Sequence, residues 1–134
     1  MRAEGQAQID RIEAALALVR RSLDWDRAVR RLDELNARVE DPTLWDDPKN
    51  AESVMRERRR LESSIGTVNE ISAEMANAIE FVELGEMEGD EDVVREGLDA
   101  LKQLAARADA DKVQALLSGE ADANDTYLEI HAGA

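Results

Sequence analysis

The chain contains no cysteine, one histidine, two prolines and four aromatic residues, Trp25, Trp45, Phe81 and Tyr127. Each shortage removes a class of function. Without cysteine there are no disulfides and no thiolate nucleophile, a composition that suits a reducing, cytoplasmic compartment. With His131 as the one imidazole, a zinc or soft-metal site lacks its usual ligands. No run approaches the roughly 18 apolar residues of a membrane span. Residues Met1–Gln6 lack the apolar core of a secretory signal. The sequence has no glycine-rich phosphate loop, no GxSxG and no HExxH pattern, so neither a catalytic constellation nor a cofactor site can be assembled from it.

Charge is what the chain has in excess. Of its 134 residues, 36% are charged, and 31 Asp and Glu outnumber 17 Lys and Arg for a net charge of −14. The excess is lopsided. Residues 1–66 hold 13 basic and 14 acidic side chains, a net of −1, whereas residues 67–134 hold 4 and 17, a net of −13. The second half should repel nucleic acid and attract basic partners. In the first half the arginines, including Arg20, Arg21, Arg27, Arg30, Arg31 and the run Arg56, Arg58, Arg59 and Arg60, are interrupted throughout by acids. That pattern reads as a solvated helix face with i,i+4 pairs, in preference to a phosphate-binding patch. The clusters Glu86/Glu88/Asp90/Asp92 and Asp122/Asn124/Asp125 lack the central glycine and terminal glutamate of a calcium-binding loop. Helix capping is the simpler account of them.

The apolar residues are spaced too regularly for a disordered chain. Ile9, Ile12, Leu16, Val19 and Leu23 step by 3 and 4, a coiled-coil seam. Ser22–Asp24 interrupts it, with Asp24 as N-cap of a second helix carrying Trp25, Val29, Leu32, Leu35 and Val39. That helix ends near Asp41-Pro42, since a residue before proline is driven out of the α region. Asp47-Pro48 starts a third helix, with the seam Leu61, Ile65, Val68, Ile71, Met75, Ile79 and Val82. It runs to Gly85 over about 37 residues, or about 55 Å. Ser63, Ser64 and Gly66 are a possible bend, better read as an exposed stretch of low helix propensity. An acidic turn follows, and then a helix carrying Val94, Leu98, Leu101, Leu104 and Ala108. A short piece, Asp111–Leu117, ends at a Ser118-Gly119 glycine stop. Thr126–His131 alternates in polarity as a strand does, with Leu128 and Ile130 on one face. A lone strand has no partner for its backbone groups.

The expected fold is therefore all-α: an elongated antiparallel bundle or coiled-coil hairpin of about four helices, with a C-terminal stub of the first β-strand of a following domain. Residues 1–120 make up the helical domain, and residues 121–134 the truncated start of the next. Trp25 and Trp45 sit at helix junctions, where large rings fill gaps. Leu44 and Trp45 together are expected to plug the end of the bundle, the alternative being an exposed anchor for a partner. The acidic turn, with Glu86, Glu88, Asp90, Glu91 and Asp92, is expected at the tip of a helical hairpin and is the candidate docking point.

Ser22-Leu23-Asp24-Trp25-Asp26, Arg31–Asn36 (RLDELN), Asp41-Pro42-Thr43-Leu44-Trp45-Asp46-Asp47-Pro48, Ser118-Gly119-Glu120 and Tyr127–Ala134 (YLEIHAGA) together resemble the bacterial class I peptide chain release factors, and within them the release factor 2 branch. The resemblance covers nearly the whole chain. It implies a complete protein that binds the ribosome at UGA or UAA and triggers hydrolysis of peptidyl-tRNA, using a Gly-Gly-Gln loop and a codon-reading Ser-Pro-Phe tripeptide. Neither motif occurs in these 134 residues, so no catalytic residue can be assigned and the chain is expected to be non-catalytic. The resemblance further implies an N-terminal domain near the stalk base of the large ribosomal subunit, with the factor-recycling GTPase as a second partner. The −13 half points the contact at a basic ribosomal protein; direct nucleic-acid binding and membrane binding are not expected. A free-standing coiled-coil adaptor is the alternative that the seams alone would fit.

Overall fold

The computed structural model describes the backbone of residues 1–133 and the side chains of residues 1–118. Helix α1 spans Ala3–Leu23 and α2 spans Trp25–Glu40. A five-residue 3₁₀ turn, Pro42–Asp46, leads into α3, Pro48–Glu88, and α4 covers Glu91–Gly133. The order and the all-α class are as the periodicity predicts.

The α3 helix organises the rest. Its 41 residues extend about 60 Å at about 1.5 Å each. Asp47 caps it, its carboxylate accepting from the Asn50 N–H at 3.3 Å, with Pro48 at the first helical position. Along its C-terminal half, α1 and α4 complete a three-helix bundle. Ion pairs set the directions: the α-amino group of Met1 lies 3.4 Å from Glu86, Arg2 2.7 Å from Glu91, and Arg11 pairs with Asp109. Helix α1 therefore runs parallel to α4 and antiparallel to α3. Arg107 ties α4 to α3 through Glu70 and Glu74, at 3.0 and 3.2 Å. The core of this bundle is the expected set of seams, with Ile12, Leu16, Val68, Ile71, Val82, Val94 and Leu101 almost fully buried. Each such side chain contributes about 1.5–3 kcal/mol by leaving water.

Along the N-terminal half of α3, α2 packs in an antiparallel hairpin. A second core of Ala28, Leu35, Leu44, Ala51, Val54, Leu61 and Ile65 holds it. Val29, Leu32 and Val39 stay half-buried, since a two-helix layer leaves flanks open to water. Leu23 and Trp25 pack against both cores and join them.

Helix ends depart from expectation in four places. Asp24 does separate α1 from α2, but not as a side-chain cap. It takes a left-handed conformation (φ 55°), and its backbone N–H donates to the carbonyls of Arg20 and Arg21. Gly85 does not stop α3. A Cβ there would lie 2.9 Å from the Val94 backbone nitrogen, so this glycine lets α4 begin in contact with α3. The stop is Gly89 (φ 69°), whose N–H donates to the Glu86 carbonyl while the Asp90 N–H donates to that of Gly85 at 2.8 Å. Ser118-Gly119 does not end a helix either, because α4 passes through it.

The expected strand stub is also overturned. The backbone over Thr126–His131 continues α4, and no strand occurs among the described residues. A strand needs a neighbour for its ladder, whereas a helix satisfies its backbone groups within the segment. The side chains of residues 119–134, and with them the segment expected to open a following domain, lie outside those described.

Candidate functional site

The five acids of the candidate docking turn gather at the α3–α4 end, but the fold already engages three of them. Glu86 faces the Met1 ammonium. Glu91 accepts from the Arg2 guanidinium at 2.7 Å through each carboxylate oxygen, and this pairing holds its carboxyl below the usual glutamate range. Asp90 caps α4, its Oδ1 accepting from the N–H groups of Asp92 and Val93 at 3.2 and 3.3 Å. Glu88 and Asp92 have no ion-pair partner among the described residues. The connection itself is only Gly89-Asp90, tighter than the sequence suggests because α3 continues past Gly85.

Beside these acids lies an apolar stripe outside the buried seam. Phe81, Leu84 and Met87 recur at i, i+3 and i+6 and are 37%, 48% and 83% exposed. Glu80, Glu83 and Glu88 flank them in sequence and are also exposed. Phe81 edges a shallow groove between α3 and α4, lined too by Ala78, Gly97, Ala100 and Leu104. The stripe was legible as a second apolar series, out of phase with Met75, Ile79 and Val82. A mixed acidic and apolar helix face suits a protein partner with basic side chains around an apolar patch.

The two tryptophans part company. Trp25 fills the junction as expected of a large ring, half-buried against both cores, with the Arg20 guanidinium 5.5 Å from its ring centroid. Trp45 does not plug the bundle end. Leu44 takes the inward position of the 3₁₀ turn, and Trp45, a third of a turn further on, is left 53% exposed.

Three arginines of the first half pair with acids of the fold. Arg31 is clasped by Glu57 at 2.7 and 2.9 Å and by Glu34 at 3.3 Å. Arg56 pairs with Glu52, and Arg58 with Glu62. No helix among the described residues is long and apolar enough to cross a membrane.

The PCRF domain family matches residues 28–134 of the chain. Over all 134 residues the chain is 52% identical to peptide chain release factor 2 of Roseobacter denitrificans and 47% identical to that of Paramagnetospirillum magneticum, covering 36% of each relative. Over 111 residues it is 53% identical to peptide chain release factor 2 of Caulobacter vibrioides, covering 30% of that protein. The chain thus spans about a third of the length of the curated relatives it matches. Matched from Ala28, the first buried residue of α2, through the long helix α3 and on to Ala134, the chain belongs to the PCRF domain family.

Proposed function

We propose that the complete protein terminates translation as a peptide chain release factor of the UGA/UAA-reading type, and that residues 1–120 are its non-catalytic, ribosome-contacting module. The observation that carries this reading is identity of about one residue in two along the whole chain to relatives named peptide chain release factor 2. A free-standing adaptor is disfavoured, because coiled-coil seams alone would not demand that likeness.

The partner that the surface favours is a basic protein at the stalk base of the large ribosomal subunit, with the recycling GTPase as a second candidate. An acidic half of net −13 repels rRNA phosphates and is drawn to basic protein. Within the expected docking turn, Glu88 and Asp92 are the acids with charge to spare, and Phe81, Leu84 and Met87 supply apolar area. The test is a pull-down against purified stalk-base protein and against protein-free rRNA. Capture of the protein, lost in the double variant Glu88→Gln/Asp92→Asn, is the expected result. Equal capture of naked rRNA would sink the protein-contact reading. The same 134 residues should release no peptide from ribosomes stalled at a stop codon, and measurable release would overturn the non-catalytic assignment.

A further inference from the structure

We infer that the tip of the α2–α3 hairpin is a second docking point, where Trp45 receives an arginine or lysine from a basic protein surface. This rests on the ribosome-contacting reading and extends it to a part of the molecule remote from the α3–α4 end.

Three observations converge on the tip. The first is exposure: a tryptophan 53% open to water is the largest apolar group on this surface, and tryptophan is the residue most enriched among interface hot spots. The second is fixation. Pro42 starts the 3₁₀ turn, and the Asp41 carboxylate accepts from the Thr43 N–H at 3.0 Å and its hydroxyl at 2.8 Å. Leu44, one residue before Trp45, is buried in the second core, and the Asp47 N–H donates back to its carbonyl at 3.3 Å. Asp47 and Pro48 then lock the start of α3. With both neighbouring segments pinned, the indole loses little freedom on binding, which is what makes an exposed ring effective as an anchor. The third is charge. Residues 40–47 contain Glu40, Asp41, Asp46 and Asp47 and no basic residue, and all four acids are exposed. A basic protein surface complements those four carboxylates, and rRNA phosphate does not. The chain itself shows the pairing its other indole adopts, with Arg20 over Trp25. Trp45 has no such cation over its ring among the described residues, so its face is open to one from outside.

The test needs no variant at first. Oxidative footprinting read by mass spectrometry distinguishes the two indoles, because trypsin places Trp25 in peptide 22–27 and Trp45 in peptide 39–49. The chain is footprinted alone, with intact bacterial ribosomes, and with protein-free ribosomal RNA. The expected result is several-fold protection of Trp45 by ribosomes, unchanged oxidation of Trp25, and no protection by the RNA. Trp45→Ala should then weaken co-sedimentation with ribosomes ten-fold or more, with helix content by circular dichroism unchanged. Co-sedimentation with Trp45 oxidised as fast as in the free chain would overturn this inference and leave the ribosome reading standing. Protection by protein-free RNA would overturn the basic-protein partner. Absence of any co-sedimentation would remove the ribosome reading, and this inference with it.

Discussion

Gly66 and Gly97 both lie inside helices, yet their surroundings are opposite. A Cβ on Gly66 meets nothing within 4 Å, whereas one on Gly97 would overlap Cγ2 of Val82 across the α3–α4 interface. Gly66→Ala should therefore stabilise the fold by about 1 kcal/mol through helix propensity alone. Gly97→Ala should cost about 1–3 kcal/mol as an overpacked contact. Urea melts of the two variants check both signs. The sequence marks these glycines alike, because the difference lies in the neighbouring helix. Glu57 gives a second residue-level expectation. The hydrogen-bonded Arg31 guanidinium holds its carboxyl below the usual range. A lowered folded-state pKa means stability that is fully present above the unfolded glutamate value, about 4.3, and lost as pH falls through the folded value. The stability gap between wild type and Glu57→Gln should be complete at neutral pH and close on acidification. The pair is partly solvated, so the gap should stay below about 1 kcal/mol. Asp111 runs the other way. Burial raises its pKa, and its Oδ2 is buried with no hydrogen-bond partner. Its ionised form therefore opposes folding at neutral pH, and that penalty fades as pH falls through the raised value. Asp111→Asn should raise the melting temperature at pH 7 and leave it unchanged in acid.

At the scale of elements, interiors were far more legible than ends. The seams of α1, α3 and α4 follow from 3–4 spacing because burying one stripe against another dominates the energetics. Their ends turn on backbone geometry that spacing does not encode. Asp24 and Gly85 look like a cap and a stop, but one adopts a left-handed bend and the other is a contact point between helices. The C-terminal segment departs from its pattern for a related reason: strand-like alternation over six residues needs a partner strand to be realised, and none is present among the described residues. The α1–α2 break carries its own expectation. A β-branched residue at φ 55° meets the full left-handed penalty, whereas asparagine tolerates it. Asp24→Val should lose about 1–2 kcal/mol, and Asp24→Asn almost nothing, by thermal melts. Trp45 shows the same limit in the candidate site. The motif Pro-Thr-Leu-Trp-Asp announces a tight turn, but which of two adjacent large residues faces inward depends on the phase of that turn.

At the scale of the whole molecule, two unequal packings share one helix. The C-terminal half of α3 sits in a three-helix bundle, whereas the core along its N-terminal half is built, among the described residues, with α2 and the 3₁₀ turn. Fewer buried contacts mean a lower free energy of local opening. Hydrogen exchange should show amides near Leu35 and Val54 exchanging faster than those near Ile71 and Leu101, and equal protection would contradict this division. Because α3 is continuous from Pro48 to Glu88, the Trp45 turn and the Met87 stripe stand at the two ends of one strut about 60 Å long. If both ends are held, the strut becomes a sighting line: play of about 2 Å at either end lets it swing by only about 2° over that length. The molecule would then measure an angle on the surface that receives it, and whatever is attached to the helix would be aimed by two contacts, neither of which need be strong.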